Sequence, residues 1–367
     1  MTSDRALITA TLARIQPADP TAARMAQQAL DAKAKPPRSL GRLEDLACQV
    51  AGIRDSPATL RPAVVVCAAD HGVADEGVSA YPQAVTAAMV AAFASGRAAV
   101  SVLARQAGAR LVVADLGVRT RTNHPAVLDR RIRAGTANAA RGPAMSPPEA
   151  EHVVATGIEL GFSLVDEGVT LLAIGEMGIA NTTAASALSA ALLDVDPSYV
   201  CGRGTGVDDA TLAHKVDVVR RMLAVNDVDI GEPLSVLAAL GGFEIGALVG
   251  LVLGGAACRV PIVLDGFITG AAALIAARLA PSCVDAMIAS HCSPEPGHAR
   301  ILSELGLDPL LSLDMRLGEA SGAALALPLI GSSMALRQEM ATLDEVAAVP
   351  GPRDEREAGT PMPSGFA

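Results

Sequence analysis

The chain has 367 residues, 51% hydrophobic and 19% charged, with a formal net charge of −10, a length that suits one large domain or two unequal ones. The acidic balance excludes a non-specific nucleic-acid footprint. The scarcity of aromatics (no Trp, two Tyr, five Phe) excludes a base-stacking platform and leaves the core to Ala, Val, Leu and Ile.

A small anionic substrate remains open to an acidic protein, because backbone N–H groups can hold a phosphate locally. The six cysteines, at 48, 67, 201, 258, 283 and 292, form no C-x-x-C pair and mostly lie in apolar runs. They read as buried, reduced thiols of a cytoplasmic protein. The first twenty residues carry charge and no apolar leader core, so no secretory signal is expected.

Residues 1–55 read as helical, with apolar residues at helical spacing over 22–30 and 40–50 and a break at Pro36-Pro37. A unit then recurs in which a short aliphatic run ends in a polar or Gly-rich turn and an Ala-rich helical stretch follows. The runs are 63–69 (ending Asp70-His71-Gly72), 111–114 (Asp115-Leu116-Gly117), 169–174 (Gly175-Glu176-Met177-Gly178), 261–264 (Asp265-Gly266), 286–289 (Ser290-His291-Cys292-Ser293) and, more weakly, 310–315 (Arg316-Leu317-Gly318-Glu319).

Strands alternating with helices predict an α/β fold: a doubly wound, mostly parallel sheet with helices on both faces, plus a small helical domain from the N- and C-terminal segments. Ligands of such sheets sit beyond the carboxyl ends of the strands, where these polar turns fall. The expected division is a helical segment of the small domain at 1–55, an α/β domain at 56–330, a C-terminal helix of the small domain at 331–349 and a disordered tail at 350–367. Residues 318–345 read as one long helix. Gly246, Gly250 and Gly254 mark either a membrane dimer face or a buried helix closely approached by a neighbour. Glu244, Arg259 and Asp265 interrupt that stretch and favour the buried helix; no membrane association is expected.

Residues 175–183 (GEMGIANTT) follow a strand and open a helix. They read either as a phosphate cradle with a carboxylate beside it or as an ordinary Gly-rich turn, with Asn181 and Thr182 as caps in both cases. Residues 202–206 (GRGTG) read as a second phosphate loop or a plain loop. His71 is open between ligand, base and hydrogen-bonded turn residue. Glu319, placed at the start of the last long helix, is either an ionised base at the mouth of a crevice or a first-turn Glu favoured by the helix dipole. No metal-binding spacing and no nucleophile elbow is present in the sequence.

Seven segments in order are the ground for a family resemblance: KPPRSLGRLEDLA (35–47), AADHGVADEGVSAYPQAVT (68–86), GEMGIANTTAASAL (175–188), KVDVVRR (215–221), GGFEIGALVGLVLGGAA (241–257), PIVLDGFITGAAAL (261–274) and MRLGEASGAALALPLI (315–330). Together they resemble the nicotinate-nucleotide–dimethylbenzimidazole phosphoribosyltransferases.

The resemblance implies transfer of a phosphoribosyl group from nicotinate mononucleotide to 5,6-dimethylbenzimidazole, giving α-ribazole 5′-phosphate and nicotinate in cobalamin lower-ligand synthesis. It implies a homodimer, no cofactor and no metal. It makes 56–330 the nucleotide- and base-binding domain, Glu319 the general base and Glu176 a second catalytic carboxylate near acceptor and ribose. It places Gly178, Asn181 and Thr182 at the phosphate, Lys215 at the nucleotide, and Ser79, Tyr81 and Gln83 on the acceptor side. Gly204, Asp265, Ser290 and Gly318 complete the expected binding set. Tyr81 stands where some relatives carry a small residue, which bears on the acceptor pocket.

The chemistry suits these groups. An azole N–H must lose its proton as the other ring nitrogen attacks C1′, and a carboxylate can take it. Nicotinate leaves as a pyridine whose nitrogen was already cationic, and Glu176 or Asp265 is placed to stabilise the developing positive charge. A dehydrogenase would need Gly-x-Gly-x-x-Gly after the first strand, where Asp-His-Gly stands. A pyrophosphate-using phosphoribosyltransferase would need an acidic pair before its phosphate loop, and Asp208-Asp209 follows the loop instead. The remaining alternative is a catalytically silent relative that senses azoles or nucleotides.

Overall fold

A computed structural model describes residues 3–54, 60–204 and 206–348; the tail expected to be disordered lies outside the described residues. Six strands form one parallel sheet: β1 Pro62–Ala69, β2 Arg110–Gly117, β3 Val127–Asp129, β4 Leu171–Met177, β5 Ile262–Leu264 and β6 Met287–Ala289, in the order β3-β2-β1-β4-β5-β6. From β1 the chain builds outward through β2 and β3, then returns to lay β4 against the other side of β1. The direction of winding therefore reverses between β1 and β4, which opens a crevice at their carboxyl ends.

β1 shows why the sheet is doubly wound. Its residues are apolar with almost no alternation, as expected for a strand covered on both faces. Ala63, Val65, Cys67 and Ala69 join the core containing helices Pro147–Asp166 and Phe243–Ala257. Val64, Val66 and Ala68 join the opposite core, with helices Arg42–Ile53, Ala84–Ala94 and Ser321–Glu339.

The glycine stripe is a helix-packing device. Every residue of Phe243–Ala257 is buried. A Cβ on Gly250 would stand 2.1 Å from the Val154 carbonyl oxygen, and one on Gly157 2.1 Å from that of Ala247. The two backbones touch, so neither position has room for a methyl group. Helix Pro147–Asp166 is started by a reciprocal cap in which the Ser146 N–H donates to Glu149 Oε2 (2.8 Å) and the Glu149 N–H to Ser146 Oγ (3.4 Å).

The N- and C-terminal segments meet in a helical group: Pro20–Asp31 and Arg42–Ile53 pack with Ser321–Glu339. Lys33 pairs with Thr342 in an isolated antiparallel bridge and donates through Nζ to the Met340 carbonyl at 2.5 Å. The boundary expected at 330 falls inside the continuous helix Ser321–Glu339.

Two expectations are corrected, and one strand was unforeseen. The run 310–315 is not a strand; Leu310 and Leu311 donate to the Ala289 and Ser290 carbonyls (3.1 and 2.9 Å), and the chain then turns outward through exposed Ser312, Leu313 and Asp314. β3 was not foreseen, being three residues in an Arg-rich stretch with no apolar run to mark it. The long helix starts at Ser321 and ends at Glu339, because Gly318, Glu319 and Ala320 take positive φ (79°, 63° and 60°); a separate short helix, Leu343–Ala347, follows. Residues 84–106 are long and apolar enough to span a bilayer by composition, but the chain breaks there into helices Ala84–Ala94 and Ala99–Gln106.

Candidate active site

A cleft open to solvent lies beyond the carboxyl ends of β4, β5 and β6, with a cavity of about 100 Å³ at its base. Two helices begin at its wall. Asn181–Leu193 follows Ala180, held at φ 75°, and Phe267–Leu279 follows Gly266; neither has a side-chain cap. This corrects the expected caps: the Asn181 amide nitrogen donates to Glu176 Oε2, and Thr182 Oγ1 accepts from Lys215 Nζ at 3.0 Å. Ala180, Asn181, Thr182, Gly266, Phe267 and Ile268 all line the cleft. Two uncapped helix N-termini in one crevice favour an anion there. Gly178 is required by a close approach, since a Cβ there would meet the Ala69 carbonyl oxygen at 2.4 Å.

Carboxylates gather beside these N-termini. Glu176, near the end of β4, is buried. Burial, and then the nearby Glu244 and Asp265 carboxylates, push its carboxyl well above the ordinary range against the opposing Asn181 hydrogen bond. Glu319 is joined to it by backbone, its N–H donating to the Glu176 carbonyl at 3.2 Å. The Glu319 side chain is buried, and its carboxyl is pushed up to about 7 by burial first and Asp265 second.

Tight packing fixes this arrangement. A Cβ on Gly175 would stand 2.1 Å from the Ala320 nitrogen, and one on Gly318 2.6 Å from Glu176 Oε1. Three consecutive left-handed residues, two of them not glycine, hold strain at this turn. Glu319 therefore precedes the last long helix on a strained turn and is not part of its first turn.

Of the residues singled out in the sequence, Ser79, Glu176, Gly178, Asn181, Thr182, Gly204, Asp265 and Gly318 line the cleft. Glu319 directly follows the wall residue Gly318 and is 5% exposed. Lys215 is 1% exposed and donates to Thr182 Oγ1 and to the Gly202 carbonyl (3.1 Å), so it braces the same corner from behind. Burial lowers its ammonium pKa, with Glu295 opposing. Asp265 Oδ1 accepts from the Gly322 and Ala323 N–H groups (2.7 and 3.1 Å), which ties β5 to the start of Ser321–Glu339; Ser290 Oγ donates to the Asp265 carbonyl at 3.1 Å. Gln83 spans to the His71 carbonyl at 2.5 Å, and Tyr81 is half exposed; neither is a wall residue.

Of the roles left open for His71, the structure takes that of a hydrogen-bonded turn residue: its Nε2 lies 2.6 Å from Glu244 Oε1, with both side chains buried and Glu244 against Gly178. Other residues of the site were not foreseen. His291, Ser293 and Glu295 line the cleft after β6, and Glu295 Oε1 accepts the Gly204 N–H at 2.8 Å. Position in the repeated strand–turn unit was a signal for the 290–293 turn. Glu295 and Glu244 reach the site only through packing. Among the described residues no group of His, Cys, Asp and Glu forms a metal-binding cluster.

A phosphoribosyltransferase family model, DBI_PRT, matches residues 15–349. The nicotinate-nucleotide–dimethylbenzimidazole phosphoribosyltransferase of Desulforudis audaxviator is 52% identical over 338 residues, covering 91% of this chain and 96% of that protein. The enzyme of the same name from Chloroflexus aggregans is 51% identical over 342 residues, covering 92% and 97%. The crystal structure of CobT from Thermus thermophilus superposes with a TM-score of 0.85 at 47% identity, covering 89% of this chain and 99% of that one. The chain belongs to the nicotinate-nucleotide–dimethylbenzimidazole phosphoribosyltransferase family.

Proposed function

We propose that this protein transfers the 5-phosphoribosyl group of nicotinate mononucleotide to 5,6-dimethylbenzimidazole, releasing nicotinate and α-ribazole 5′-phosphate for the lower ligand of cobalamin. The observation that carries the mechanism is Glu319: a buried carboxyl pushed up to about 7, on a strained turn beside a cleft with two helix N-termini. Ionised, such a group is a stronger base than a solvated carboxylate and still accessible near neutral pH.

The donor phosphate sits at the N-termini of Asn181–Leu193 and Phe267–Leu279, with Gly204 beside them and Lys215 supporting Thr182. Attack by one azole nitrogen forms the new bond to C1′ as the bond to nicotinate breaks, and Glu319 takes the proton from the other nitrogen. Glu176, which accepts from the Asn181 amide, sits where burial and neighbouring carboxylates favour its protonated form; Glu319 is then the carboxylate that ionises. Ser79 lines the acceptor side, with Tyr81 at its rim and Gln83 fixing the segment to His71.

We take the protein to be a cytoplasmic homodimer. Helix Ala84–Ala94 buries only Thr86, Val90 and Phe93, leaving an apolar surface beside exposed Tyr81 and Val102 that a second copy would cover.

The test is a product assay with nicotinate mononucleotide and 5,6-dimethylbenzimidazole, read by chromatography and mass spectrometry. α-Ribazole phosphate with stoichiometric nicotinate is the expected result. No product from a panel of azoles and phenols, with nucleotide still bound, would replace the enzyme by a sensor of azoles or nucleotides.

A further inference from the structure

One carboxylate in the cleft has no part in the chemistry above. Glu295 immediately precedes helix Pro296–Leu305 and is 7% exposed. Its Oε1 accepts the Gly204 N–H at 2.8 Å, while its Oε2 is buried with no hydrogen-bond partner among the described residues. That second oxygen fills the space a side chain at position 202 would need, since a Cβ on Gly202 would stand 2.1 Å from it. The Gly202 carbonyl in turn accepts from Lys215 Nζ, which also donates to the Thr182 hydroxyl, so among the described residues the buried ammonium hydrogen-bonds neutral oxygens. Glu295 and Lys215 are thus opposite charges on either side of Gly202, without direct contact. Both belong to the corner where Thr182 and Gly204 meet the cleft.

A half-satisfied buried carboxylate is costly. Its position here, on a backbone N–H in a corner built for an anion, gives it a use. We propose that Glu295 is the resident anion of the nucleotide site, occupying the Gly204 N–H and balancing Lys215 until a substrate phosphate replaces it. The inference rests on the phosphate placement given above. The carboxylate competes with the incoming phosphate for the Gly204 N–H and repels it. It therefore limits affinity for the nucleotide, and equally for the phosphorylated product, which has to leave. Glu295 is a positioning and affinity-setting residue; it does not touch the reacting atoms.

The test is calorimetric titration of the full-length parent, Glu295→Gln and Lys215→Met with nicotinate mononucleotide, inorganic phosphate and nicotinate riboside, alongside steady-state kinetics. Gln is isosteric and its amide oxygen still accepts from Gly204, so the fold is kept while the charge is removed. The expected result is about tenfold tighter binding of the mononucleotide and of inorganic phosphate to Glu295→Gln, the scale of relieving one like-charge contact in a partly desolvated site. The riboside is expected to bind unchanged. KM for the mononucleotide falls and kcat does not rise.

Weaker or unchanged phosphate binding by Glu295→Gln would reduce Glu295 to a support for Gly204, and equal tightening of the riboside would also overturn the proposal. Lys215→Met separates the two layers of the argument. If it leaves mononucleotide affinity intact, the phosphate placement itself is wrong. If it weakens mononucleotide binding while Glu295→Gln fails to tighten it, only the role of Glu295 falls.

Discussion

Glu319→Gln offers a trade between stability and activity whose sign follows from burial. In the folded protein the Glu319 carboxyl is pushed from 4.5 up to about 7, burial being the larger cause and Asp265 the smaller. A group with a raised folded pKa favours folding below its unfolded pKa, and that advantage is lost as pH rises through the folded value. Each pH unit is about 1.4 kcal/mol, so the full shift sets a ceiling of roughly 3 kcal/mol; water entering through the cleft reduces this to about 2 kcal/mol.

Gln cannot ionise and keeps the side-chain volume. The variant is therefore expected to match the parent in denaturant stability at pH 4.5 and to exceed it by about 2 kcal/mol at pH 8, or roughly 4 °C in Tm. Its kcat falls about 10²-fold or more. The parent's kcat/KM rises as pH passes through about 7, whereas the variant lacks that limb. Urea melts at the two pH values, paired with pH–rate profiles, check both halves. A variant no more stable than its parent at pH 8, or one that keeps the rising limb, would show that Glu319 is not the buried titrating base.

Other expectations test packing and assembly. Gly250→Ala forces a methyl group to within 2.1 Å of the Val154 carbonyl; the helix pair must separate, and a loss of about 2–3 kcal/mol is expected in a urea melt. Glu244→Ala leaves His71 buried without its 2.6 Å partner, which predicts a loss of about 3–5 kcal/mol and a smaller loss for Glu244→Gln. Val102→Glu puts a charge on the exposed apolar surface beside helix Ala84–Ala94; sedimentation is expected to show a shift toward monomer, and an unchanged mass would move the dimer interface elsewhere.

The sequence announced the central strands well because β1 and β4 are buried on both faces. Only long aliphatic runs satisfy that environment, and such runs are visible without any partner. It also marked the edge where the cleft lies, since polar residues directly after an aliphatic run have few places to go except the carboxyl end of a sheet. Glu176, Asn181, Asp265 and Glu319 were found in this way or through the family motifs. Short edge elements were poorly legible. β3 and the 310–315 run differ in pairing because of where the sheet ends, and composition does not reveal that.

The amino-acid order by itself determined the α/β class, the glycine-striped buried helix and the family, because each is written in local periodicity or in contiguous motifs. The tertiary structure alone decided how those pieces act. It turned Asn181 from a cap into a partner of Glu176, and Asp265 into an acceptor at the start of Ser321–Glu339. It brought Glu244 beneath Gly178 and Glu295 onto Gly204, pairings across 173 and 91 residues for His71–Glu244 and Gly204–Glu295. It also raised the Glu319 carboxyl to about 7. A pKa depends on which charges and how much water surround a group, and both are properties of the packed chain that no local stretch of sequence contains.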